Sequence, residues 1–505
     1  MRTGGMLMRP VLTPAQMRAY EENAFDRGLS PLLLMEDAAR EMHRQIRARL
    51  PENARTAAIF CGSGNNGGDG LALARLFRKD GFQVSVFLPV PPSTPEAQEN
   101  LRCLTALGIS VTSRLPAGLS FDFAVDAFFG TGFHGTPKPP FDAWIKAIGM
   151  GKFGQVFSVD IPSGLDGTAG TAARDENGGP LCVRADWTLV LGFPKTGLLT
   201  GPDRPFCGRL IDCPIHLPEP GPETDLFIVG PEDIPALLSA RDRRMHKGNA
   251  GRVLLYAGST GMAGAAGMAA LGALRAGAGL VTIACEKELI PILQTLVPNA
   301  MCVSAEQAVR CPPAHDVFAA GCGLGTGESA LCFLTAFLKK ETGPVILDAD
   351  ALNQLAKAPF SLPDHTLLTP HAGEAARLLH ADTGTVLNDL CGAARRIAGA
   401  YHASVLLKSD VSVASDGKTS YVNALDAPAL AKGGSGDALC GMTAAFLAER
   451  NARGLPLCLP ETAALSSVLL SLCGRKAEEV FGSRSALTSD ILSFLPGLMA
   501  PKDST

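Results

Sequence analysis

Apolar positions along this chain come in short runs that alternate with longer amphipathic stretches. Thr56–Gly62 (TAAIFCG) is a compact apolar run, followed by a glycine-rich turn, the helical stretch Gly70–Gly81 (GLALARLFRKDG) and a second run, Gln83–Val90 (QVSVFLPV). That succession predicts a βαβ unit. Phe121–Gly130 (FDFAVDAFFG) and Gln155–Gly164 (QVFSVDIPSG) each read as an apolar strand that ends in a carboxylate and a turn. Further on, Gly251–Gly258, Leu280–Glu286, Asp316–Gly323, Pro344–Asp350 and Ser404–Ser409 read as successive strands separated by helices. The alternation predicts an α/β protein with largely parallel sheets, whose ligands collect at the carboxyl ends of the strands. The Ala/Gly-rich run Met262–Ala284 is interrupted by Arg275 and followed by Glu286 and Lys287, so it predicts a buried helix and strand, not a membrane span.

A chain of 505 residues exceeds what one core supports. The seam is expected within Ile215–Val229, where Pro218, Pro220 and Pro222 cluster with acids and disfavour regular pairing. Domains are therefore expected at 1–220 and 226–505. The other reading of this segment is a long surface loop inside one domain. The two halves share no motif, which predicts two different folds.

Composition narrows the function classes. Hydrophobic residues at 46% and charged residues at 19% describe an ordinary globular chain, and a net charge of −4 without any Lys/Arg run argues against a nucleic-acid partner. The fourteen cysteines are scattered, form no CxxC pair and often sit in apolar runs (Cys61, Cys285, Cys332, Cys440, Cys473), a pattern of buried reduced thiols. The nine histidines lack HxxxH or HExxH spacing, so no zinc site is expected. The opening MRTGGMLMRPVLTP lacks the apolar stretch of a signal peptide, with Met6 or Met8 as alternative starts. The expectation is a soluble cytoplasmic enzyme with no membrane partner.

The stretch richest in chemistry is Leu430–Cys440, LAKGGSGDALC. Gly433, Gly434 and Gly436 let backbone N–H groups approach an anion, and the helix expected to follow, through about Glu449, aims its positive end at the same place. Asp437 would then stand beside bound phosphates, placed to take a proton from an incoming hydroxyl. The bland reading is a glycine turn that merely caps a helix. In the first half, GSGNNGGDG differs from a GxGxxG fingerprint because Asn65, Asn66 and Asp69 add donors and acceptors to the glycines. Asp160, at the end of QVFSVD and before Pro162 and Gly164, is an acid/base candidate, with turn capping as its alternative.

Several segments carry a family resemblance. His246–Ile283, Gly323–Ser329 (GLGTGES), Leu347–Asn353 (LDADALN), Thr369–Leu379 (TPHAGEAARLL) and Val405–Ser415 (VLLKSDVSVAS) resemble the ribokinase-like dehydratase that repairs hydrated NADH and NADPH, over nearly all of the chain from Arg241 onward. Gly62–Phe77, Asp126–Thr136 and Ser158–Gly167 resemble the NAD(P)H-hydrate epimerase domain. Together they resemble the bifunctional NAD(P)H-hydrate repair family. This implies a Rossmann-like three-layer domain of the YjeF N-terminal type, followed by a ribokinase-like α/β domain. It also implies an enzyme that interconverts the R and S hydrates of NAD(P)H and dehydrates the S form at the expense of ADP.

Site roles follow from that resemblance. Asn65, Asn66, Gly67, Gly68 and Asp69 would contact the hydrated nucleotide, while Gly130, Thr131, Gly132, Phe133, His134, Gly135 and Thr136 would cradle its phosphates. Asn66, Asp126 and Ser163 match potassium ligands, an all-oxygen set with one carboxylate. Capping of the turns is the other reading of Asp126 and Ser163. Asp160 and Asp437 would be the catalytic carboxylates. Ala265, Gly323 and His371 match dehydratase substrate contacts. Lys408, Ser409, Asp410, Val411, Ser412 and Gly436 match the ADP segment, and magnesium is expected to shield its phosphates. Glu374 reads first as a helix cap and second as a water-mediated magnesium partner, and Asp348 and Asp350 read as candidates for organising metal or substrate pocket. Homo-oligomerisation is expected of both folds. The chain departs from the family at Glu21 and Asp37, read as packing positions in N-terminal helices, and at Cys322 and Ser409, where proline and glycine are usual. The rival reading is a vitamin-type alcohol kinase with a noncatalytic N-terminal module.

Overall fold

A computed structural model describes residues 9–116, 118–218, 221, 223–238 and 244–500. The chain divides into two compact units, Pro10–Thr224 and a second that contains Asp225–Thr505. The alternative start residues Met6 and Met8, and Pro220 and Pro222 of the expected seam, lie outside the described residues. The far end of that seam is not linker: Leu226–Ile228 is a strand that pairs in parallel with Ser420–Asn423.

In the first unit the strands lie in the order Val111–Thr112, Gln83–Phe87, Thr56–Cys61, Ser120–Ala127, Lys152–Val159, Trp187–Leu191, Arg209–Cys213, all pairs parallel. Strand Thr56–Cys61 shows why helices cover both faces. Ala57, Ile59 and Cys61 enter one core with Phe77 and Phe123, while Ala58 and Phe60 enter another with Phe87 and Trp144. Alternate side chains that are apolar on both faces need a layer on each side.

The NNGGDG stretch is not a loop ahead of a helix at Gly70; it forms the first turns of helix Asn65–Lys79. Glycines are tolerated there because the helix runs hard against the sheet. A Cβ on Gly67 would stand 1.9 Å from the Gly62 carbonyl oxygen, and one on Gly70 would stand 2.9 Å from Cys61 Sγ.

The sheet of the second unit runs Leu226–Ile228, Ser420–Asn423, Ser412–Ser415, Ser404–Leu407, Thr366–Leu368, Val345–Leu347, Val317–Ala320, Arg252–Tyr256, Leu280–Cys285, Met301–Ser304. It is parallel from Ser404–Leu407 to its Met301–Ser304 edge, with antiparallel pairing on either side of Ser412–Ser415. The Ala/Gly-rich run forms helix Ala263–Arg275 and strand Leu280–Cys285. Helix Ser435–Ala452 is apolar nearly all round and buried, and it packs on Ala263–Arg275. Their contact is backbone-close: a Cβ on Gly441 would lie 1.9 Å from the Ala269 carbonyl oxygen. No helix among the described residues is long and apolar enough to cross a membrane. The cysteines are free thiols, and most are shielded, but Cys332, expected inside, is exposed along with Cys311.

Candidate active sites

Strand order in the first unit reverses between Thr56–Cys61 and Ser120–Ala127, which opens a crevice beyond their carboxyl ends. A cavity of about 640 Å³ lies there. Asn65, Asn66, Asp69, Gly130–His134 and Thr136 line it, and Asp160 reaches it from the neighbouring strand end. Gly67, Gly68 and Gly135 are not on its wall. Gly67 packs on Gly62 and Gly68 on Met35, so their role is to let the helix approach. Helix Asn65–Lys79 begins at Gly64 with no side-chain cap, leaving its first N–H groups for an anionic ligand.

Asp160 has φ 63°, the left-handed region that side chains rarely adopt. Its carboxylate is buried and accepts from Lys195 Nζ and, at 3.3 Å, from the Leu191 N–H. Lys195 is fully buried and also donates to the Leu191 carbonyl at 2.9 Å. The sequence reading missed Lys195. It follows strand Trp187–Leu191 in a GFPKTG turn, and that turn after an apolar strand was the available signal.

Glu21 also stands on the cavity wall, which corrects its reading as a packing position. It comes from helix Pro14–Asp26, whose start is set by Thr13 and Gln16 in a capping box with Pro14 in the first turn. Burial pushes the Glu21 carboxyl up to about 7, Lys195 opposing and Asp160 adding to the rise. Burial, then the charges of Asp160 and Glu21, hold Asp69 well above the ordinary carboxylate range. Glu21, Asp69 and Asp160 thus act on one another beside Lys195, and the raised Glu21 can hold and exchange a proton near neutral pH. Arg18, from the same helix as Glu21, donates to the Thr131 carbonyl and ties down the glycine-rich loop. Asp37 is a surface partner of His216, at 2.8 Å.

Asp126 and Ser163 lie together beneath this cavity. Ser163 Oγ donates to Asp126 Oδ1 at 2.6 Å and its N–H donates to Oδ2 at 2.8 Å, while Ser158 Oγ donates at 2.9 Å. Burial raises the Asp126 carboxyl, against the pull of these bonds. The turn-capping role is therefore present: Phe128 N–H is held by Asp126 and Phe129 N–H by Ser163. Asn66 Oδ1 would stand 3.0 Å from a Cβ on Gly130, and Asn66 Nδ2 is buried with no hydrogen-bond partner among the described residues.

The second unit repeats the principle with different chemistry. Its strand order reverses between Arg252–Tyr256 and Val317–Ala320, and the loops after them meet: Ser259 Oγ donates to the Gly323 carbonyl at 2.9 Å. Gly323, at φ 60°, would touch Ala265 Cβ at 2.8 Å if it carried a Cβ, so the paired Ala265 and Gly323 keep this wall low. Asp437 is in the first turn of helix Ser435–Ala452, entered through Gly434 at φ 94° with no side-chain cap. Lys408, at the end of strand Ser404–Leu407, donates to Asp348 Oδ1 at 2.6 Å, and its Nζ would be 3.3 Å from a Cβ on Gly436. Burial, then Asp348, push the Asp437 carboxyl up to about 6, while the neighbouring Cys322 thiol and Lys408 pull it down. A buried carboxylate poised near neutrality, beside an ammonium and free helix N–H groups, can accept a proton while charge on a phosphoryl group is stabilised.

The remaining predicted residues are less uniform. Ser409 and Asp410 form a surface turn, Ser409 Oγ donating to Asp410 Oδ1 at 3.0 Å. Val411 points into the core, so only its backbone could meet a nucleotide. His371 caps helix Ala372–Leu378, its Nδ1 accepting from Gly373 N–H at 3.0 Å with half its ring exposed. Glu374 completes that capping box by accepting the His371 N–H at 2.9 Å, as ranked first from sequence. Asp350 Oδ2 accepts the Gly325 N–H at 2.8 Å and shapes the Gly321–Gly325 turn.

Residues 32–197 match a family described as YjeF-related protein N-terminus, and residues 253–496 match one described as NAD(P)H-hydrate dehydratase. A bifunctional NAD(P)H-hydrate repair enzyme from Coxiella burnetii is 34% identical over 498 residues, covering 96% of this chain and 98% of that protein. Another, from Moorella thermoacetica, is 33% identical over 521 residues, with 96% of each chain covered. A solved ribokinase-like superfamily protein from Enterococcus faecalis V583 superimposes with a TM-score of 0.50 at 26% identity, covering 56% of this chain and 98% of that one.

Proposed function

Since the chain belongs to the bifunctional NAD(P)H-hydrate repair enzymes, we propose that its two units divide one repair as follows. The Pro10–Thr224 unit interconverts the R and S hydrates, and the following unit returns the S hydrate to NAD(P)H at the expense of ADP. The observation that carries the second half is Asp437, poised by burial at the uncapped start of its helix and flanked by Lys408 and Asp348.

Hydrated NAD(P)H carries water across C5=C6, and hydroxide is a poor leaving group. Asp437 takes the proton of the C6 hydroxyl, and the oxygen attacks the β-phosphoryl of ADP with release of AMP. Lys408 and the N–H groups around Gly436 stabilise the charge on the transferring group. The ring nitrogen lone pair then expels phosphate by breaking C6–O, and loss of a C5 proton restores the double bond. The sum is hydrate plus ADP giving NAD(P)H, AMP and phosphate.

In the first unit, Asp160 exchanges a proton with the C6 hydroxyl or the ring, and Lys195 holds that carboxylate in place. Asn65, Asn66 and the Gly130–Thr136 loop hold the nucleotide. Asn66, Asp126 and Ser163 suit potassium through their oxygen atoms, and the unpartnered Asn66 Nδ2 is a hydrogen-bond donor available to the substrate. Potassium would supply weak positive charge beside the phosphates. Magnesium would enter with ADP, mostly on phosphate and water oxygens, with Asp348 or Asp350 as the nearest carboxylates. It would shield phosphate charge.

Asp437→Asn tests the central role, since the amide keeps the shape but accepts no proton. Dehydration should fall by about 10²–10⁴-fold while ADP binding, followed by calorimetry, persists. Turnover equal to that of the parent would remove Asp437 from the chemistry.

A further inference from the structure

Two thiols lie beside the proposed dehydratase centre and take no part in the chemistry assigned to it. Cys322 follows strand Val317–Ala320, and Cys440 lies one helical turn beyond Asp437. Both are 1% exposed, as is Asp348. The ligand atoms of Cys322, Cys440 and Asp348 all lie within 4.8 Å of one another. Among the described residues, no other three His, Cys, Asp or Glu side chains meet that spacing.

We propose that Cys322, Cys440 and Asp348 form a binding site for a thiophilic divalent cation of the zinc class, and that its occupation shuts the adjacent active centre. Two sulfurs on one tetrahedral zinc, at about 2.3 Å each, stand about 3.8 Å apart, so ligand atoms within 4.8 Å of one another need to draw in by no more than about 1 Å. Three different chain segments contribute the ligands, which makes the grouping part of the folded state alone. Two thiolates select against magnesium, a hard cation that takes oxygen ligands. The site therefore differs in chemistry from the oxygen-lined one expected to accompany ADP, although Asp348 could serve either.

Binding balances as one divalent cation plus two thiols and one carboxylate, giving the complex and two released protons. It has two consequences for the centre. Asp348 exchanges its Lys408 ammonium for the metal, and Cys440, in the same helix as Asp437, is drawn toward it. Lys408 and Asp437 are both displaced from their phosphoryl-transfer arrangement, while the first unit is untouched. The metal site itself stands on geometry; the inhibition rests on the dehydratase reading.

The test is titration of the reduced full-length chain with cadmium chloride, followed by the ultraviolet thiolate-to-metal charge-transfer band, alongside zinc chloride inhibition of both activities. The expected result is a band that saturates at one equivalent with two protons released, and loss of dehydration without loss of epimerisation. C322A and C440S should each weaken the metal by more than the roughly 10–100-fold typical of losing an outer-shell partner, and each should resist zinc relative to its own metal-free activity. Residual metal-free dehydration in each variant reports that the second unit folds. No band at one equivalent, or an unchanged affinity in both variants, would overturn the site. A one-equivalent band in a chain that never dehydrates the S hydrate would keep the site and remove the dehydratase reading instead.

Discussion

Lys408 Nζ stands 2.6 Å from Asp348 Oδ1, and both side chains face Gly436, the residue before Asp437. The ammonium has two partners to serve: the buried carboxylate that fixes it and the phosphoryl charge that would arrive beside it. Lys408→Met leaves Asp348 buried without its counter-charge. Breaking such a pair costs about 3–5 kcal/mol, so melting of this unit should move down. Dehydration should fall by about 10²–10³-fold with epimerisation retained, a split that parallel assays of the two activities would read.

The acid limb of dehydration belongs to Asp437. Its carboxyl is raised to about 6, so it is a competent base above that pH and protonated below it. The rate should therefore drop as pH falls through about 6. Lys408 is among the influences that lower this group, so in Lys408→Met the limb should shift to higher pH. A pH–rate profile of the residual activity, on both proteins, measures this.

Lys195→Met should separate the two activities in the opposite sense. Asp160 would lose the buried ammonium that holds its carboxylate in place. Rescue of the R hydrate should fall by about 10²-fold or more, and dehydration of pure S hydrate should continue. Turnover measured on each separated epimer distinguishes this outcome from general unfolding.

Gly441→Ala tests how the catalytic helix is seated. The new methyl group meets the Ala269 carbonyl oxygen at 1.9 Å, so the two helices must part. Overpacking of this kind costs about 1–3 kcal/mol. The expected result is a lower melting temperature and weaker dehydration, with epimerisation unchanged.

Residues next to glycines at strand ends were legible in the sequence, because a carboxylate placed between an apolar run and a turn has few positions to occupy. Asp160 came from that logic and lines the first unit's cavity, whereas Asp437 came from a glycine turn ahead of a helix and sits in that helix's first turn. Lys195 did not, because a lysine is usually solvated and its partner is 35 positions earlier; only folding reveals it as a fully buried cation. Glu21 was hidden for a similar reason, since its helix meets the cavity by tertiary packing. The NNGGDG stretch was misjudged as loop because glycine disfavours helix locally, whereas the close approach to Gly62 requires it. Cys322 reads from sequence as a softened turn, yet its thiol is gathered with Asp348 and Cys440 beside the proposed base.

The most direct measurement mixes the R and S hydrates of NADH with the full-length chain and follows the return of NADH absorbance with and without ADP. The account predicts complete recovery of both epimers with ADP, one AMP and one phosphate formed per NADH, and no recovery without the nucleotide. Recovery that proceeds with no nucleotide consumed would contradict it.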